Sequence, residues 1–256
     1  MLKAMNPHLL IITGSSRGLG AALTALSLQP GHRLLGMARQ HNATLQAQAD
    51  GAGVPLTQWQ IDLADAPAAA ARLQQWLQGF DGQTVASVTL INNAGLVGLP
   101  APLHKVPLAT LSAAMRVGLE AALLLSAAFL ACTDGWPGHR RIMNISSGLG
   151  RRAMAGSAAY CAAKAGMNHF SRALALEQAS LPNGARVESV APGVIDTDMQ
   201  AELRGADAAD FPEREMFAQL KANGQLLSPT DCARQLLARL NRADFGQDPV
   251  TDIRQP

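Results

Sequence analysis

Leu9-Leu10-Ile11-Ile12-Thr13-Gly14-Ser15-Ser16-Arg17-Gly18-Leu19-Gly20 is the stretch from which the fold can be read. Its apolar opening, within His8–Thr13, is short and unbroken, as strands buried on both faces are. Glycines at 14, 18 and 20 then allow a sharp turn into a helix over Gly18–Leu28. Such a turn gathers backbone N–H groups and the positive end of a helix where a pyrophosphate can be held. The spacing is Gly-x-x-x-Gly-x-Gly, and a plain strand–helix turn would also use glycines. Its place directly after the first strand favours a dinucleotide. Ser15, Ser16, Arg17 and Leu19 belong to the same turn and count with Gly14, Gly18 and Gly20 as cofactor contacts.

Outward from this turn the same alternation continues. His32–Ala38, Leu56–Ile61, Val85–Ile91, Arg141–Ile145 and Arg186–Val190 read as strands rich in Val, Ile and Leu. Asp65–Leu77, Ala109–Ala131 and Ser157–Ser180 read as helices between them. Strict alternation predicts an α/β fold: a single-domain, Rossmann-type, doubly wound parallel sheet of about seven strands, with helices on both faces. No Pro-, Gly- or Ser-rich linker divides the chain, so residues 1–256 are expected to form one domain. After Asp196 the pattern breaks, and residues 196–224 read as small helices forming a mobile substrate lid. A last helix over Pro229–Leu240 and a last strand near Val250–Ile253 close the chain.

Composition excludes several function classes. Net charge is +2 with 16% charged residues, and no basic stripe suggests nucleic acid. Arg140-Arg141 and Arg151-Arg152 read as solvated turns. The six histidines are scattered and Cys132, Cys161 and Cys232 lack ligand spacing, so no metal site is expected. An odd number of distant cysteines fits free thiols in a reducing compartment. The N-terminus reads as a first strand and not a signal peptide, and Val117–Cys132 carries Glu120 and falls short of a membrane span. A cytoplasmic protein without membrane or nucleic-acid partners is the expectation.

Three places carry chemistry on their own. The second strand ends Gly36-Met37-Ala38-Arg39-Gln40, with no acidic residue to meet ribose hydroxyls. Arg39 can instead pair with a 2′-phosphate, with Arg17 adding charge, which points to NADP(H). Asp62, with Leu63 beside it, is placed after the third strand to meet an adenine amino group or to cap a helix. Tyr160 and Lys164 lie four apart, on one helical face. A cation about 4 Å from a phenol, at an effective dielectric near 20, contributes roughly 4 kcal/mol. That would lower the phenol by about three pKa units, toward the range of a general acid.

Taken together, Thr13-Gly14-x-x-x-Gly18-x-Gly20, Asn92-Asn93-Ala94-Gly95, Asn144-Ile145-Ser146-Ser147, Tyr160-x-x-x-Lys164 and Pro192-Gly193-Val194-Ile195-Asp196-Thr197 resemble the short-chain dehydrogenase/reductase family, over essentially the whole chain. Tyr160-Cys161-Ala162-Ala163-Lys164, Ala191–Met199 and Leu220–Pro229 resemble its sepiapterin reductase and benzil reductase branch. The resemblance implies an NADPH-dependent carbonyl reductase. Ser147 would hydrogen-bond a substrate carbonyl, Tyr160 would donate its proton, and Lys164 would bind the nicotinamide ribose while lowering the phenol's pKa. Asn93, Ala94 and Gly95 would border the adenosine ribose; Pro192, Gly193, Ile195 and Thr197 would frame the nicotinamide. Asp252 would be the nearest match to the carboxylate that anchors a pterin. The long helices would pair with those of other copies in a homodimer or homotetramer.

Gly118 stands where the family usually has an Asn that holds a water beside the catalytic Lys. Leu149, Met154, Met199 and Phe217 would offer an apolar slot to a small-molecule carbonyl substrate. A 3-oxoacyl, steroid or sugar reductase, and a non-catalytic NADP-binding regulatory protein, stay open at this point.

Overall fold

A computed structural model describes residues 6–254. The ends of the expected 1–256 domain, including the first five residues of the N-terminal reading, lie outside the described residues. The strands are β1 His8–Thr13, β2 His32–Ala38, β3 Leu56–Gln60, β4 Ser87–Asn92, β5 His139–Ile145, β6 Arg186–Ala191 and β7 Val250–Asp252. They form one parallel sheet in the order β3-β2-β1-β4-β5-β6-β7. The order reverses between β1 and β4, so the loops after these strands part and leave a crevice at their carboxyl ends.

Helices cover both faces: α1 Gly18–Leu26, α2 Ala43–Ala52, α3 Ala66–Gln78, α4 Leu108–Met115, α5 Ala121–Thr133, α6 Ala158–Ala179, α7 Asp198–Arg204, α8 Arg214–Ala222 and α9 Pro229–Leu240. One core, with Leu9, Ile11, Leu90 and Ile142, lies under α3 and α5. The other, with Ile12, Ile91, Met143 and Val190, lies under α1 and α9. Alternate residues of each strand feed opposite cores, which is why the strands read as continuous apolar runs.

Three features differ from the sequence reading. α2 was not expected; it is polar and buries only Leu45 and Ala49, but Asn42 caps it by accepting from Leu45 N–H at 3.0 Å. The long helix is interrupted by a π turn, Arg116–Glu120, between α4 and α5. The whole helical run Leu108–Thr133 is 26 residues long and, by length and apolarity alone, sufficient to cross a bilayer. It packs instead against α3 and the sheet through Leu125 and Phe129, both fully buried. Arg140 is no solvated turn: it is buried in β5, where its guanidinium donates to the carbonyls of Thr133 and Asn183.

Buried polar groups hold neighbouring elements in place. Asn92 donates to Asn144 Oδ1 (2.8 Å) and to Ser126 Oγ, and Asn144 donates to Ser171 Oγ (2.9 Å). This chain of contacts ties α5, β4, β5 and α6 together. On β6, Glu188 is fully buried and accepts a two-pronged contact from Arg239 (2.8 and 3.1 Å), together with Gly246 N–H and the Thr251 hydroxyl. A buried carboxylate is tolerated when paired in this way.

Candidate active site

The crevice at the switch point is a cavity of about 800 Å³. Its floor at one end is backbone. Gly14 N–H donates to Met37 O at 2.7 Å, which sets the turn onto β2. A Cβ on Gly20 would lie 2.1 Å from Gly14 O and 2.6 Å from Asn93 Nδ2, so only glycine fits there. Asn93 braces the turn, donating from its side chain to Thr13 O (2.9 Å), while Thr13 Oγ1 accepts from Asn93 N–H and Ala94 N–H. Gly14, Ser16, Arg17, Gly18, Leu19 and Gly20 all line the cavity; Ser15 does not, being buried beneath the turn against Gly36.

Farther along this end lie Arg39, Asp62 and Leu63. Asp62 accepts from Ala64 N–H, and the cap of α3 is Asp65 instead. Among the described residues the Arg39 guanidinium has no ion-pair or hydrogen-bond partner. The Arg17 guanidinium is held by Asp198, 2.9 Å away at the start of α7, with both side chains largely exposed.

Ser147, Tyr160 and Lys164 meet at the other end, beside Asn93, Ala94, Gly95, Pro192, Gly193, Ile195 and Thr197. β5 delivers Ser147, whose Oγ accepts from Leu149 N–H, and α6 delivers Tyr160 and Lys164 one turn apart. The expected ammonium–phenol pairing takes a different form. Lys164 Nζ donates to Ile145 O at 2.7 Å and stands 5.7 Å from the centre of the Tyr160 ring. Burial lowers Lys164 to about 8. The Tyr160 phenol is raised above its ordinary value, chiefly by burial, against which the Ser147 hydroxyl pulls it down. Burial is the leading influence on the phenol in this geometry. Gly118 is buried in the π turn, and a Cβ there would press on Ala163 Cβ at 3.2 Å. Its lack of a side chain lets α6 approach closely, next to Lys164.

Leu149, Met154, Met199 and Phe217 line the cavity, and so do Gln200 and Glu202. Phe217 stacks on Phe211 at 5.8 Å. Asp252 does not line the cavity. Its side chain is 2% exposed and ion-paired with Arg151 (2.5 Å) and Arg254 (2.7 Å). The carboxylate expected to anchor a substrate is thus engaged by two arginines of the chain itself. Arg151 is correspondingly not a free solvated residue, whereas Arg152 and Arg254 both line the cavity. Sequence reasoning missed Arg254 and Val117, which also line the cavity; nothing local marks either position.

The chain resembles known proteins over nearly its full length. The model of the short chain dehydrogenase family matches residues 8–208. A "Benzil reductase ((S)-benzoin forming)" from Bacillus cereus is 32% identical over 243 residues, covering 95% of this chain and 98% of the relative. The sepiapterin reductase of Rattus norvegicus is 31% identical, covering 95% of each chain. A metagenomic short-chain oxidoreductase solved in complex with NADP superposes with a TM-score of 0.72 at 27% identity, covering 98% and 96% of the two chains. With its glycine turn, Ser147, Tyr160 and Lys164 opening onto one crevice, this chain belongs to the short-chain dehydrogenase/reductase family, in the branch of the benzil and sepiapterin reductases, and is an oxidoreductase acting on carbonyl or hydroxyl groups.

Proposed function

We propose that the chain is an NADPH-dependent carbonyl reductase, acting as a single domain on ketones or dicarbonyl compounds of the benzil type. The observation that carries this is one cavity with an unpartnered cation, Arg39, at the far end and Ser147, Tyr160 and Lys164 at the near end. The donor set fits the cofactor: a glycine-floored turn for a pyrophosphate and, at the end of β2, a guanidinium with no acidic residue beside it for a 2′-phosphate. The bound reduced nicotinamide would supply the hydride.

The chain's own residues do the rest. Ser147 and Tyr160 donate hydrogen bonds to the substrate oxygen and stabilise the charge that grows on it. Tyr160 then gives up its proton to complete the alcohol. A phenol raised by burial stays loaded at neutral pH, which suits reduction. The Lys164 ammonium offsets the phenolate left behind. The apolar residues of the lining keep water from the transfer. Relatives named as benzil and sepiapterin reductases support the substrate class, and engagement of Asp252 by two arginines favours the benzil-like side.

The exposed Leu123 on α5 and Leu176 on α6 support pairing of these helices in a homodimer or homotetramer. Three free cysteines support the cytoplasm as its compartment. The decisive experiment follows NADPH consumption with benzil. Tyr160→Phe should lose at least about 100-fold in kcat while still binding NADPH, measured by the nucleotide's fluorescence. Undiminished turnover in that variant would remove the role assigned to the phenol.

A further inference from the structure

Arg254, although its side chain is 59% exposed, is held at both arms of its guanidinium. Its Nε and Nη2 make a two-pronged contact with Asp252, at 2.9 Å to Oδ1 and 2.7 Å to Oδ2, and its own backbone N–H donates to the same carboxylate. Asp252 sits on β7, is almost fully buried, and is also gripped by Arg151. Arg151 follows directly on the short turn Gly148–Gly150 that begins at Ser147. The Arg254 stem lies 3.6 Å from where a Gly193 Cβ would be. One carboxylate therefore ties the residue after the Ser147 turn to the chain just beyond β7, where the Arg254 stem packs near Gly193.

Two of the three guanidinium nitrogens of Arg254 are used in this contact. Among the described residues Nη1 has no partner, and the residue lines the cavity. Both arms of the fork being fixed, the remaining N–H groups are oriented before any ligand arrives. The lining combines apolar side chains such as Leu149 and Met199 with Arg152, Gln200 and Glu202. A substrate oxygen reaching this point would find a fixed, charged donor there.

Resting on the carbonyl-reductase reading above, we infer that Arg254 selects vicinal dicarbonyl substrates, donating from Nη1 to the carbonyl oxygen that is not reduced while Ser147 and Tyr160 hold the one that is. A monoketone of equal size offers that donor only water in place of the second carbonyl. Discrimination between the two therefore depends on Arg254. Arg151 provides the control, because it shares the same carboxylate but does not line the cavity.

The test measures kcat/KM with NADPH for benzil and for deoxybenzoin, which lacks the second carbonyl. Arg254→Gln should reduce the benzil-to-deoxybenzoin ratio about tenfold or more, and Arg254→Lys should restore part of it. Arg151→Gln should leave the ratio unchanged even if it lowers the unfolding temperature. The inference is overturned if Arg254→Gln lowers both substrates equally, if it acts only through the KM for NADPH, or if Arg151→Gln shifts the ratio as much. An unsubstituted enzyme that reduces neither ketone would instead sink the carbonyl-reductase reading itself.

Discussion

The two ends of the cavity are made of different material. At the end proposed for the nucleotide, the fit of the turn is set by the absence of side chains, as at Gly20 against Gly14 O. At the substrate end the wall is side chains: Met154, Met199 and Phe217 on elements far apart in the chain. Backbone walls allow few alternatives, whereas side-chain walls can be recut one residue at a time without disturbing the fold. On the proposed reading the first end holds the nucleotide, and the second, beside Ser147, Tyr160 and Lys164, chooses what reacts.

The largest effect should come from filling the backbone wall. Gly20→Val puts methyl groups where even a Cβ would collide with Gly14 O and Asn93. NADPH should then no longer raise the unfolding temperature, and activity should vanish. A Gly20→Val protein that still binds nucleotide would break the contrast drawn between the ends. Arg39→Ala should weaken NADPH binding by about 10- to 100-fold and leave NADH nearly untouched, as titration by fluorescence would read.

The pH dependence sharpens the near end. Lys164, lowered to about 8, is cationic below that value and loses its charge above it. If its charge supports proton donation by Tyr160, kcat/KM for reduction should be level below pH 8 and fall about tenfold per unit above it. A profile still level at pH 10 would remove Lys164's charge from the mechanism. The smallest effect belongs to the side-chain wall: Met199→Ala should change KM by only about three- to tenfold, by different factors for different ketones, with an unfolding temperature close to that of the parent.

This contrast also governs what was legible. β1 and the glycine turn are contiguous in sequence, and their spacing carries their chemistry directly. Tyr160 and Lys164 are one turn apart, so their shared face could be read as well. Desolvation of the phenol could not, because it depends on every element packed around it. α2 escaped notice since Leu45 and Ala49 give almost no periodic signal, although Asn42 offered a cap. The π turn, Arg116–Glu120, inserts into a continuous helical run without a cap or a Pro to mark it. Asp252 meets Arg151 across 101 positions, and no local pattern announces such a partner.

Glu188 has a consequence for where this protein can be cut. The family match ends at residue 208, and every motif of the site lies before it. Yet the carboxylate on β6 is neutralised by Arg239 and satisfied by Gly246 and Thr251. A chain shortened ahead of α9 would keep all the recognisable motifs while stranding a negative charge in its interior, at a cost of about 3–5 kcal/mol. The tail is thus the counterion of the sheet, and an enzyme trimmed to its signature sequences would not be expected to stand.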